Sequence, residues 1–91
     1  MSHNVAIKVL EETIPFIITV ETENGKNYRG KLKSIQENMN CHLEDVSLVN
    51  SNGIILKYRT VFLRGTACKI FILPDFMKET PVIKIIFNQK N

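Results

Sequence analysis

The chain has no tryptophan, and its aromatic rings are limited to five phenylalanines and two tyrosines. An aromatic cage or groove that reads a protein tail therefore has little to be built from, although bent five-stranded barrels also serve that purpose. Cysteine occurs only at Cys41 and Cys68, far apart, with no Cys-x-x-Cys and no nearby histidine pair. That spacing excludes the common zinc and dithiol motifs and fits a reducing compartment, cytosol or nucleus. Proline and glycine are sparse and there is no low-complexity tract, which argues for a folded chain. No apolar run approaches the roughly 20 residues that span a bilayer, and Met1-Ser2-His3-Asn4 lacks the order of a secretory leader, so no membrane association or export is expected. A nucleophile paired with a base, a phosphate loop and a metal motif are all missing, and no catalytic residue, metal or cofactor is expected. His42, Glu44 and Asp45 lie close together, but two candidate ligands on one strand face without a third make a poor site.

What remains is a single domain of 91 residues, 44% apolar and mostly aliphatic. Its net charge of +3 favours a polyanionic partner only mildly. Apolar residues at positions 6, 7, 9 and 10 predict a short amphipathic helix from Val5 to Glu12, ended at Thr13-Ile14-Pro15 because proline disfavours helical geometry in its predecessor. The period then changes to two. Phe16, Ile18 and Val20 share a face, Glu23-Asn24-Gly25-Lys26 makes a turn, and Tyr28, Gly30 and Leu32 return opposite Arg29, Lys31 and Lys33. Two longer strands follow, joined by Asn50-Ser51-Asn52-Gly53. Each slips phase: Met39, Cys41 and Leu43 give way to Val46 and Leu48, and Ile54, Leu56 and Tyr58 to Val61 and Leu63. Such slips indicate bulges or strong bends. Ile70 to Leu73, closed by Pro74, forms a fifth strand.

The expected fold is mainly β: a short N-terminal α-helix followed by a strongly bent five-stranded antiparallel barrel. Five strands rarely close without an exposed edge, and Val61, Phe62 and Leu63 together with Ile70, Phe71 and Ile72 are apolar on both phases. An oligomer assembled by strand addition, with those six residues at the subunit contact, is expected. The run Val82 to Phe87 is apolar enough to add a strand or a helix.

Two segments place amides and a guanidinium where strands run into tight loops: Glu37-Asn38-Met39-Asn40-Cys41 and Leu63-Arg64-Gly65. An amide can hydrogen-bond the edge of an unpaired base, and a guanidinium plane can stack on its face, so RNA binding is the leading reading. Asn38 fits either base contact or turn chemistry. Arg29, Lys31 and Lys33 fit either a basic stripe for an RNA backbone or an ordinary solvated face.

Tyr28-Arg29-Gly30-Lys31-Leu32 followed by Met39-Asn40, and Leu63-Arg64-Gly65 followed by Ile70-Phe71-Ile72-Leu73-Pro74-Asp75, resemble the two Sm motifs in order. The resemblance runs from about residue 5 to 77 and is strongest to the third D-type branch of the Sm family. It implies a bent, SH3-like barrel over residues 1–77, with 78–91 as a C-terminal extension. It also implies a heteroheptameric ring around a U-rich single-stranded site of small nuclear RNA, acting in pre-mRNA splicing in the nucleus after cytoplasmic assembly. B-type and G-type Sm subunits would be the neighbours, and the chain would have no enzymatic role. Carried onto these positions, Asn40 would bond the base edge, Asn38 and Arg64 would cover its two faces, and Gly65 would let the loop approach the pore. Gln36 stands where the family commonly has an acid that orients the asparagine amide; its neutral oxygen can accept the same bond. A homo-oligomeric Sm-like RNA chaperone is the alternative.

Overall fold

A computed structural model describes residues 3–50, 52–73 and 84–86, the side chains of residues 3, 4 and 84–86 excepted. Helix α1 (His3–Glu11) leads into strands β1 (Ile17–Thr22), β2 (Asn27–Ile35), β3 (Cys41–Val49) and β4 (Ile55–Leu63). A single 3-10 turn, Gly65–Ala67, then precedes β5 (Cys68–Ile72) and a short β6 (Lys84–Ile86). All neighbouring strands are antiparallel in one sheet of order β4-β3-β2-β1-β5-β6. The expected helix followed by five antiparallel strands in a bent sheet is thus present. The strand β6 is additional. It realises the strand alternative for the Val82 to Phe87 run at residues 84–86; the rest of that run, like Pro74 and Asp75, lies outside the described residues. Among the described residues no helix is long and apolar enough to cross a membrane.

The helix starts two residues earlier and stops one earlier than its pattern predicts. Ala6 and Leu10, one turn apart, are buried, while Thr13 closes the C-terminus by donating its hydroxyl to the Leu10 carbonyl at 2.7 Å. They join Ile18, Val20, Leu32, Met39, Cys41, Leu43, Val46 and Phe71 in one apolar cluster.

Bends in the sheet come from identifiable extra residues. Arg29 pairs with Ser47 but Lys31 with Glu44, so β3 carries one more residue than β2 over that interval, and Asp45 within it has φ 53°. The β3–β4 register is continuous across the same point, so β4 bends with β3 and shows the same phase slip without a bulge of its own. Gly30 sits opposite the bulge; a Cβ there would lie 2.8 Å from the Glu44 carbonyl oxygen and 2.9 Å from Val46 Cγ2. This is the close neighbour that an inward glycine implies. Further register shifts fall at Leu32/Ser34 in β2 and beside Thr22 where β1 meets β5.

Three hairpins share one loop form. Thr22 donates its N–H to Lys26, Gln36 to Asn40 and Asn50 to Ile54, each at 2.9 Å, enclosing three residues of which the last has positive φ: Gly25 at 84°, Met39 at 70° and Gly53 at 80°. Asn24 does not share the left-handed geometry that its Asn-Gly dipeptide allows.

Phe16, expected to share the face of Ile18 and Val20, is 49% exposed because β1 begins one residue later. Phe62, expected at the subunit contact, is 47% exposed, edge-on to His42 with ring centroids 5.1 Å apart. Conversely, Leu63 and Phe71 are core side chains, so at a subunit contact they can offer only backbone.

Candidate nucleic-acid interface

The loop between β2 and β3 contains the first candidate segment. Met39 takes the left-handed position that glycine holds in the other two hairpins, and its side chain is fully buried. A non-glycine residue there is strained, and burial of the thioether offsets that cost. Anchoring Met39 inward leaves Asn38 exposed and Asn40 at the surface with half of it covered. The Asn38 side-chain oxygen accepts the Asn40 N–H at 3.1 Å, so Asn38 performs turn chemistry in the free chain.

The second segment meets the first directly. Gly65 donates its N–H to Asn40 Oδ1 at 2.7 Å. Gly65 is buried, and a Cβ on it would collide with the Asn38 carbonyl oxygen and approach Met39 Cβ to 2.9 Å. The backbones of the two loops therefore touch, and only a glycine permits it. On the other side of the amide, Asn40 Nδ2 donates to Gln36 Oε1 at 3.4 Å. The amide is thus held at both ends, with Gln36 in the orienting place. These two bonds leave one Nδ2 hydrogen and one Oδ1 lone pair of Asn40 unused.

Arg64 precedes this junction in extended geometry, φ −75° and ψ 138°, with its side chain exposed. Its carbonyl accepts the Ala67 N–H at 2.9 Å and the Cys68 thiol at 3.2 Å, which fixes the backbone while the guanidinium makes no ion pair among the described residues. Directly behind the site, Cys41 and Cys68 are buried free thiols. The Cys41 thiol is pushed up by its hydrogen bond with Cys68 and by burial, so it stays protonated.

The two sequence segments thus meet: Gln36, Asn38, Asn40, Arg64 and Gly65 form one surface at the end of the sheet. Two of the three cations of the basic stripe are paired, while Arg29 is exposed and makes no ion pair among the described residues. Lys33 pairs with Glu44 at 2.9 Å and Lys31 with Asp45 at 3.5 Å. Residue types alone did not reveal these pairs, because opposing Lys31 with Glu44 and Asp45 requires knowing where the bulge falls. The Asn40–Gly65 bond was likewise unforeseen; the signal for it was an Asn at one loop end and a Gly at the other.

Comparisons with known proteins agree with the fold. Residues 8–73 match the LSM domain. The chain is 38% identical over 82 residues to the small nuclear ribonucleoprotein Sm D3 of Schizosaccharomyces pombe, covering 90% of this chain and 84% of that one. Against Sm D3 of Caenorhabditis elegans it is 39% identical over 85 residues, covering 93% of this chain but 62% of the longer relative. The crystal structure of a heptameric archaeal Sm protein superimposes with a TM-score of 0.65 at 25% identity, covering 70% of this chain and 93% of that one. With its domain match, its sequence relatives and its fold in agreement, the chain belongs to the LSM-domain family, the Sm proteins, and is similar to the Sm D3 members.

Proposed function

We propose that this protein is a structural, RNA-binding subunit of a small nuclear ribonucleoprotein core. In this reading it is one member of a heteroheptameric Sm ring that encircles a U-rich single-stranded site of small nuclear RNA and serves pre-mRNA splicing. It works in the nucleus after cytoplasmic assembly and has no chemistry of its own. The observation that carries the reading is the Asn40 amide, clamped between Gly65 N–H and Gln36 Oε1 beside an exposed Arg64. Uracil presents a carbonyl acceptor next to its N3–H donor, the complement of the donor and acceptor that Asn40 has left. Arg64 stacks on one face of that base and Asn38 packs on the other, giving up its turn bond in part. Gly65 keeps the second loop close enough for the two to act as one pocket.

Ring closure proceeds by strand addition. β4 has no partner on its outer side among the described residues, and Ile55, Leu56, Tyr58 and Phe62 on it are 37 to 56% exposed. An apolar, unpaired edge of this kind favours pairing with another chain. The residues that meet a neighbour are Val61, Phe62 and Leu63 on one edge and Ile70, Phe71 and Ile72 on the other, with B-type and G-type Sm subunits as the neighbours. The heptameric archaeal relative favours a second reading, a homo-oligomeric Sm-like RNA chaperone. Native mass of the purified chain, free of RNA, separates the two. A small species that forms a discrete pair with a B-type Sm subunit supports the hetero-ring, and a closed ring of identical copies overturns it.

A further inference from the structure

Strand β5 has two sides, and in this chain both are taken. β1 pairs with one through Thr19↔Ile72, Val20↔Phe71 and Glu21↔Ile70. β6 pairs with the other through Ile70↔Ile86, Phe71↔Ile85 and Ile72↔Lys84. The same three β5 residues that strand addition offers to a neighbour are therefore occupied by the chain's own C-terminal segment, while the opposite edge of the sheet, β4, is open. We propose that β6 is a displaceable cover for the β5 edge, which leaves the free subunit able to accept a neighbour on β4 only, until an incoming strand displaces the tail. The proposal rests on the strand-addition reading above.

The lengths of the competing strands make displacement possible. β6 covers three residues, whereas β5 is five residues long and β4 nine. A neighbour's edge strand can pair along all of β5 and so replace a shorter ladder by a longer one. Against this, the tail competes from within the same chain at high effective concentration. Free subunits are thereby held apart at low concentration, and an apolar edge that would otherwise template aggregation is shielded. Displacement makes β5 available only when a partner that fits it is present.

The test compares the full chain with the double variant Ile85→Pro, Ile86→Pro, in which proline removes adjacent backbone donors that point to opposite sides of the strand. The β1–β5 ladder is untouched, and a native-like near-ultraviolet spectrum identifies a folded variant. Amide hydrogen exchange by NMR reads the edges, and sedimentation over a concentration series reads self-association. In the variant the β5 amides turned towards β6 should exchange at least about tenfold faster, and the midpoint for self-association should fall by about fivefold or more. Coincident association curves, with β4 amides that become protected in the oligomer, overturn the tail proposal and leave strand addition standing. β4 amides that stay open in every oligomer overturn strand addition and this proposal with it. β5 amides that exchange alike in both monomers show that the tail does not cover the edge, and overturn the proposal directly.

Discussion

Asn40 Oδ1 accepts the backbone N–H of Gly65 at 2.7 Å across twenty-five positions of sequence, and this one bond joins the loops that carry the candidate site. Asn40 therefore ties the two loops together, and in the proposed function the same bond orients its amide for RNA. Two substitutions separate the roles. Asn40→Ala removes the acceptor and leaves the Gly65 N–H unpaired in a partly buried place, at a cost of about 1 to 2 kcal/mol. Asn40→Asp retains an acceptor for Gly65 but loses the Nδ2 donor and adds negative charge, so its urea midpoint should stay near the parent's while U-rich RNA binding falls. Equal loss of stability in both variants would contradict the division.

Gly65→Ala should destabilise more than any other alanine substitution at a glycine of this chain. The colliding atom is the Asn38 carbonyl oxygen, which moves only if the β2–β3 loop moves. A loss of about 3 kcal/mol or more, read as a urea midpoint at unchanged slope, is the expected result. Gly30→Ala meets the Glu44 carbonyl less severely and should cost about 1 to 3 kcal/mol. Gly25→Ala meets open space but must adopt φ 84°, so it should cost only about 1 to 2 kcal/mol.

Lys31 and Lys33 should contribute little to RNA affinity, because Asp45 and Glu44 already neutralise them. Each phosphate contact to a single strand adds about 0.7 to the slope of log affinity against log salt. Lys31→Ala and Lys33→Ala in the assembled ring should leave that slope unchanged. Removing Lys33 and Glu44 together should reveal a coupling below about 1 kcal/mol, since both side chains are well exposed.

The thiols of Cys41 and Cys68 should resist alkylation at pH 8 in the folded chain and react at the ordinary rate once urea unfolds it. Both are buried, and Cys41 is further held in its protonated form by its neighbour, whereas the same hydrogen bond lowers the Cys68 thiol, which is protected by burial alone. Prompt modification under native conditions would mean that the region behind Asn40 opens far more readily than the packing implies.

Much of the fold was legible because hydrophobic period changes are local. The helix face at Ala6 and Leu10, the alternation through Ile18 and Val20, and the phase slips near Asp45 and Arg59 all follow from neighbouring residues. The site residues were legible as types, Asn and Arg at strand ends. Their junction was not, because a bond between residues 40 and 65 depends on how far the sheet bends. The ion pairs of Lys31 and Lys33 were hidden for a related reason, since one bulged residue decides which side chains face each other. The pairing of β6 with β5 was hidden because an apolar run such as Val82 to Phe87 suits a helix or a strand equally. Met39 was the least expected: turn chemistry favours glycine at its position, and only its burial explains a methionine there.

Affinity for a U-rich strand by a ring assembled with its Sm partners tests the central claim most directly. The comparison is between the parent subunit and the Asn40→Ala, Arg64→Ala double variant, by fluorescence anisotropy at fixed salt. Arg64 makes no ion pair among the described residues, so its removal should not disturb folding. With the variant ring intact by native mass, a fall in affinity of about tenfold is expected, about 1.4 kcal/mol. An intact variant ring that binds the strand as tightly as the parent would contradict the assignment of this surface to RNA.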